Sequence, residues 1–170
     1  GKQFQGLKVL GKLELLKSQT SRRAVIAIGD NEVRRLIVNK LSALDYEFPL
    51  CIHPSAVIGE DVLIGEGTVV MANAVINPGS RVGKHCIINT AATVDHDNKI
   101  GDFVHLSPGC HLAGNVTVRK AAHCGTGVIA IPGTSIGEKT IVGAGAVVVS
   151  NIPNNCTAVG VPAKVIKKHD

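Results

Sequence analysis

The sequence predicts a mainly β chain, a parallel β-solenoid preceded by a partial α/β segment. Three observations carry that prediction. An unbroken six-residue period runs from Ile52 to Pro153, aliphatic residues open nearly every unit, and a strand–helix–strand pattern precedes the first unit. A fixed short period marks a stacked architecture in which each unit covers its neighbour's apolar face.

The hexads open on Ile52, Ile58, Ile64, Val70, Ile76, Val82, Ile88 and Val94 and keep one register to Val142 and Val148, 17 units in all. Their fifth positions, from Ala56 and Val62 to Thr140 and Ala146, are small or β-branched, with Asn98 the exception. First and fifth positions lie two apart through the sixth, so they share one face of a short strand and define a narrow interior. Three flat sides per coil give an 18-residue period, with coils stacked at about 4.8 Å, the interstrand spacing. Each buried aliphatic residue contributes about 1.5–3 kcal/mol. The second position holds Gly59, Gly65, Gly83, Gly101, Gly125, Gly137 and Gly143, with Asn77, Asn89 and Asp95 between them. These residue types tolerate positive φ, so the sharp turn is expected there.

Ahead of the repeats, Arg23–Gly29 reads as a buried strand. Asp30 or Asn31 caps a helix running to about Ala43, with Val33, Leu36, Ile37 and Leu41 on its inner stripe. Tyr46–Cys51 reads as a second strand leading into the solenoid. The expected organisation is a partial α/β segment over 1–51, the repeat over 52–153 and a tail over 154–170.

Composition excludes several classes. One Tyr, three Phe and no Trp suit an interior too narrow for rings. A net charge of +5 without a basic stripe interleaved with aromatics argues against nucleic acid. No signal sequence and no apolar run of membrane length is seen, so no membrane partner is expected. Of five cysteines none forms a CxxC pair, and Cys86, Cys110 and Cys124 fall on interior positions, where they read as small buried hydrophobes. A reducing, cytoplasmic setting follows.

The sharpest polar cluster is Val94-Asp95-His96-Asp97, followed by His105-Leu106-Ser107 and Leu112-Ala113-Gly114-Asn115. His96 and Asp97 take the third and fourth hexad positions, at a turn where side chains face out. A histidine beside a carboxylate is what general-base catalysis requires, because the acid orients the ring and favours the imidazolium. Gly114 follows His96 by 18 residues, one coil above it, where a bare N–H can meet a carbonyl oxygen developing charge.

Units such as Ile58-Gly59, Ile64-Gly65, Ile100-Gly101 and Ile136-Gly137 resemble those of the hexapeptide-repeat acyltransferases. That resemblance implies a left-handed parallel β-helix, usually trimeric. The His-acid pair, the Ala-Gly-Asn downstream and the Gly160-Val161-Pro162-Ala163-Lys164 string look like those of bacterial acetyltransferases acting on sialic acid and on nucleotide-linked amino sugars. By that resemblance His96 is the general base, Asp97 its partner and Gly114 the thioester contact, while Asn89 and His105 line the acceptor pocket. Which acid orients His96, Asp95 or Asp97, is left open. Gly125 and Gly143, with Gly127 and Gly145, would border a groove for the pantetheine arm of acetyl-CoA, the expected cosubstrate, and Lys164 and Lys167 would meet its phosphates. The implied reaction moves an acetyl group to an amine or hydroxyl of a sugar or nucleotide-sugar in a homotrimer, without a metal.

Relatives open with a glycine-rich strand-to-helix turn that helps hold the nucleotide-sugar. Here Gly1–Leu16 resembles the middle of that domain, so the chain is expected to start partway through a larger protein, and nucleotide binding is not assigned to it. Two further readings stand beside the transferase. His105 and His123, 18 apart, suggest a zinc enzyme like the β-helix carbonic anhydrases, although His105 and His111 are six apart rather than five. The other is a non-catalytic trimeric scaffold. His53, His85 and His169 are expected at the surface.

Overall fold

A computed structural model describes residues 2–169. The hexads form a three-walled parallel β-solenoid whose two-residue strands pair every 18 residues, as Val57–Ile58 does with Val75–Ile76 and Thr93–Val94 with His111–Leu112. Wall I begins at Cys51–Ile52 and includes His105–Leu106, His123–Cys124 and Ile141–Val142. Wall II runs from Val57–Ile58 to Val147–Val148, and wall III from Leu63–Ile64 to Ser135–Ile136. First- and fifth-position side chains make one continuous core, from Val70 and Ile76 to Ala146 and Val148, closed below by the partly buried Ala56 and Ile58. The cysteines are free, and Cys86, Cys110, Cys124 and Cys156 lie buried in that core. Burial pushes the Cys86 thiol up to about 12, so it stays protonated and inert.

The sharp turn falls on the fourth position and not the second. Every fourth-position residue from Asp61 to Gly145 has positive φ, including Ala91, Asp97, Phe103 and Lys139. The inter-coil ladder imposes this, since each such residue from Gly79 to Gly145 donates its N–H to a third-position carbonyl on the coil below, as Phe103 does to Lys84 at 2.8 Å and Asp97 to Pro78 at 3.1 Å. The second-position glycines answer to close stacking instead. A Cβ on Gly65 would lie 2.7 Å from Gly83 C, and one on Gly101 2.7 Å from Lys120 N.

The expected helix is present as α1 (Asn31–Ser42), with Asp30 as its N-cap accepting from Val33 N at 2.8 Å. Its buried face differs from the expected stripe. Arg34, Val38 and Leu41 face inward, whereas Val33 and Leu36 are exposed. The cause lies on the solenoid edge between walls III and I, where left-handed corners present unladdered carbonyls. Arg34 donates to His85 O and Phe103 O, both at 2.9 Å, and to Ile28 O at 2.9 Å, while Asn31 Nδ2 donates to Ala121 O at 3.0 Å. Arg23–Gly29 is not a strand. It is an extended run joined to 46–50 by a single parallel bridge, Arg23 with Glu47, and Val25 on its other side is exposed. His85 is buried rather than at the surface, its ring stacked on Phe103 at 5.1 Å and edge-on to Phe48 at 5.0 Å. The tail continues wall I: Cys156–Val159 pairs parallel with Ile141–Val142, and Lys164–Lys168 folds back antiparallel on it.

Candidate active site

His96, Asp97 and Gly114 come together on the edge between walls II and III. His96 Nδ1 lies 2.9 Å from Asp97 Oδ2, which makes Nδ1 the protonated nitrogen and leaves Nε2 free. Both side chains are open to solvent, 56% and 59% exposed. The bond to Asp97 raises the imidazole pKa above the usual histidine value, and the charge of Asp95 adds to it. The acid that orients the ring is therefore Asp97. Asp95 instead braces the turn. Its Oδ1 accepts from His96 N and from Asn77 Nδ2, each at 2.9 Å, and chiefly the Asn77 bond holds its carboxyl below the usual range.

Gly114 sits one coil above. Asn115 N donates to His96 O at 3.0 Å, and a Cβ on Gly114 would lie 2.5 Å from His96 Nε2. Only glycine leaves the ring its place. Among the described residues the Gly114 N–H donates to no acceptor, and Gly114 itself is buried beneath the His96 ring. One coil below, a Cβ on Gly79 would lie 2.5 Å from Asp97 Oδ1, so the carboxylate rests on a bare glycine. Neither Asn77 nor Gly79 stands out when the sequence is read along the chain. Both appear once the 18-residue offset is applied to Asp95 and Asp97. A shallow cavity of about 320 Å³ opens beside this edge, lined by Asn77, Thr93, Asp95, His111, Ala113 and Ile129 among others.

The remaining predicted residues lie elsewhere on the same chain. Asn89 and His105 meet each other, Asn89 Nδ2 to His105 Nε2 at 3.1 Å, on wall I and the edge between walls I and II. His105 Nδ1 donates to Gly29 O at 3.1 Å, and its ring stacks on His123 at 4.7 Å. Burial, and next the neighbouring His123, push the His105 pKa down to about 4, so it is a neutral ring. His123 Nε2 pairs with Ser107 Oγ at 3.0 Å. Among the described residues no group of three or more His, Cys, Asp or Glu side chains is placed to hold a metal. A second cavity of about 300 Å³ lies between Asp30, Glu32, His123 and Lys139; His96 and Asp97 line neither cavity.

Gly125 and Gly143 need no ligand to explain them. A Cβ on Gly125 would lie 2.7 Å from Ala144 N, and one on Gly143 2.8 Å from Val159 Cγ1. The open ledge on the same edge belongs to Gly109, Gly127 and Gly145, above which a Cβ would meet nothing within 4 Å. Lys164 is exposed and pairs with Val159 at the top of that ledge; Lys167, also exposed, pairs with Thr157.

No family model matches the chain. PerB from Caulobacter crescentus, solved with CoA and GDP-perosamine, superposes with a TM-score of 0.92 at 44% identity, covering 95% of this chain and 79% of that one. The chain belongs to the hexapeptide-repeat sugar N-acetyltransferases. It is an acetyltransferase. The acetyltransferase domain of PglB from Neisseria gonorrhoeae FA1090, in complex with acetyl coenzyme A, gives a TM-score of 0.92 at 41% identity over 96% of this chain and 81% of that one. GDP-perosamine N-acetyltransferase of Escherichia coli O157:H7 is 29% identical over 99% of this chain and 79% of its own length. No helix is long and apolar enough to cross a membrane among the described residues.

Proposed function

We propose that this enzyme transfers acetyl from acetyl-CoA to the amine of a nucleotide-linked amino sugar by direct attack, with His96 as general base. The observation that carries the reading is the free Nε2 of His96, its ring fixed by Asp97 and seated under the unpaired N–H of Gly114. His96 Nε2 takes a proton from the amine as its nitrogen bonds to the thioester carbonyl carbon. Gly114 N–H stabilises the oxyanion, the C–S bond breaks, and the imidazolium returns the proton to the departing thiolate. General-base assistance of this kind contributes about 10²–10⁴-fold, and alignment of two substrates in one cleft contributes further. Sialic acid is a less favoured acceptor, since the relatives named above act on or bind an amino sugar.

The proposal extends to assembly. The His96 edge and the ledge with Asn89, His105, Gly127, Gly145 and Lys164 are one wall apart in a single chain, so a complete site needs two chains. Wall II, between them, carries outward Val57, His111 and Ile129, all exposed, where wall III carries Leu63, Arg81 and Lys99. A homotrimer of left-handed prisms, with walls II turned inward, would set the His96 edge of one copy against the ledge of the next. In that reading 52–153 is the catalytic unit, 154–170 adds Lys164 and Lys167 near the CoA phosphates, and 1–51 is a front segment built around α1, without the strand–helix–strand of an α/β domain among the described residues.

The test is release of free CoA thiol from acetyl-CoA with a panel of nucleotide-linked amino sugars. His96→Ala is expected to lower kcat at least about 100-fold with the trimer intact by light scattering. Release at the parent's rate from His96→Ala would remove the base assignment.

A further inference from the structure

One residue breaks the interior pattern, and it lies under the candidate active site. Asn98 is fully buried in a fifth-position column otherwise filled by small or β-branched side chains. Thr68, Ser80 and Thr140 share a bracket that staples one coil to the next, whereas Thr134 Oγ1 donates back into its own turn, to Ile131 O at 2.8 Å. Thr68 Oγ1 donates to Gly83 O at 2.8 Å and accepts from Cys86 N at 2.9 Å, and Ser80 Oγ treats Asp95 O and Asn98 N alike, at 2.7 and 3.1 Å. Asn98 makes both of those bonds to the coil above. Its Nδ2 donates to Ala113 O at 3.0 Å and its Oδ1 accepts from Val116 N at 3.0 Å, so the two ends of its amide are fixed.

The amide then does what a hydroxyl does not in Thr68 or Ser80. Nδ2 also donates back into its own turn, to Asp95 O at 2.6 Å and, more weakly, to His96 O at 3.4 Å. Those carbonyls belong to the turn that carries the imidazole. Ala113 and Val116 flank Gly114 in the turn above. A single buried side chain therefore spans both halves of the site.

We propose that Asn98 is a positioning residue that fixes the His96 turn against the Gly114 turn. The role rests on reading His96 as the base, and it deepens that reading: other fifth-position residues make either the bracket or the backward bond, whereas Asn98 makes both at once, at the turn that carries His96. A displacement of about 1 Å between reacting groups costs up to about 10²-fold in rate, and the arm restrains movement on that scale.

The experiment compares Asn98→Thr with the parent in the thiol-release assay. Threonine has a single hydroxyl proton, which it gives either to the coil above, as Thr68 does, or back to the carbonyl three residues earlier, as Thr134 does to Ile131 O at 2.8 Å, so it cannot hold both turns at once as Asn98 does. The expected result is a melting temperature within a few degrees of the parent, a kcat lowered roughly 10- to 100-fold, an unchanged KM for acetyl-CoA and an acid limb of the pH–rate profile moved to lower pH as the Asp97 contact loosens. Thr140→Val, which cuts the same bracket far from the site, lowers the melting temperature and leaves kcat alone. If Asn98→Thr does not fold, Asn98→Cys takes its place, since Cys86 makes the same upward contact to Gly101 O at 3.1 Å. A variant kcat within twofold of the parent, with His96→Ala inactive, overturns the positioning role and leaves the base in place. An active His96→Ala overturns both.

Discussion

The solenoid and the front segment are held together in opposite ways. In the solenoid each coil repeats the same few bonds and the same buried columns, so stabilisation is spread over many equivalent residues. The front segment, 2–50, shares with the solenoid a small cluster of Val38, Leu41, Tyr46 and Phe48 against Phe103 and Ala121, and leaves Val25, Val33 and Leu36 exposed. Its polar attachment centres on Arg34, a buried cation whose partners are all neutral oxygens, among them His85 O, Phe103 O and Asn31 Oδ1, with Asn31 to Ala121 O and His105 to Gly29 O beside it. A repeat tolerates local loss, whereas a junction centred on a few residues does not.

Arg34→Met is the most damaging change that this contrast predicts. It leaves several buried carbonyls without donors, each costing about 1–3 kcal/mol, so the front segment should detach while the solenoid persists. Hydrogen exchange is the measurement: amides of 24–47 should lose protection, and those of the coils between Val104 and Val148 should keep it. Equal loss in both would mean that the two regions fold as one unit.

The attachment is also expected to weaken in acid. His105 donates to Gly29 O from wall I, and its folded pKa of about 4 lies below the value of an exposed histidine. The unfolded chain therefore binds this proton at higher pH than the folded one. The stabilisation is complete above about pH 6.5 and declines as pH falls from there towards 4, with His123, also shifted down by burial, acting in the same direction. Stability curves at stepped pH should slope within that window, and His105→Gln should flatten the slope.

At the proposed catalytic edge the shift has the opposite sign. Asp97 raises the pKa of His96, so the rate should fall with acid through a midpoint above that of an ordinary histidine. Asp97→Asn should carry that midpoint downwards and lower kcat, by roughly 10-fold or more. An unmoved acid limb would mean that another group sets it.

Much of this is legible in the sequence, and the parts that are not share one cause. The period yields the walls and columns, and an offset of 18 places Gly114 over His96 from residue numbers alone. The face of α1 escapes a search for an apolar stripe, because the solenoid edge offers carbonyls there, which select Arg34 and Asn31. The wall separating Asn89 and His105 from His96 is likewise a matter of three-dimensional register, visible only when hexads are counted around the prism.

The glycines provide the finest test, because residue type alone misleads there. Gly125 and Gly127 are two apart on one edge, yet they answer to different demands. Gly125→Ala would drive a Cβ to 2.7 Å from Ala144 N, a backbone atom fixed by the next coil, and should cost about 1–3 kcal/mol in stability. Gly127 has φ +68 with open space above it. Alanine already holds that conformation at Ala91 and Ala121, so Gly127→Ala should cost only about 1 kcal/mol. Its effect should appear instead in KM for acetyl-CoA, since the added methyl stands on the ledge assigned to the pantetheine arm. Equal destabilisation by the two variants would show that the left-handed corner, and not the approach of the next coil, governs where this fold requires glycine.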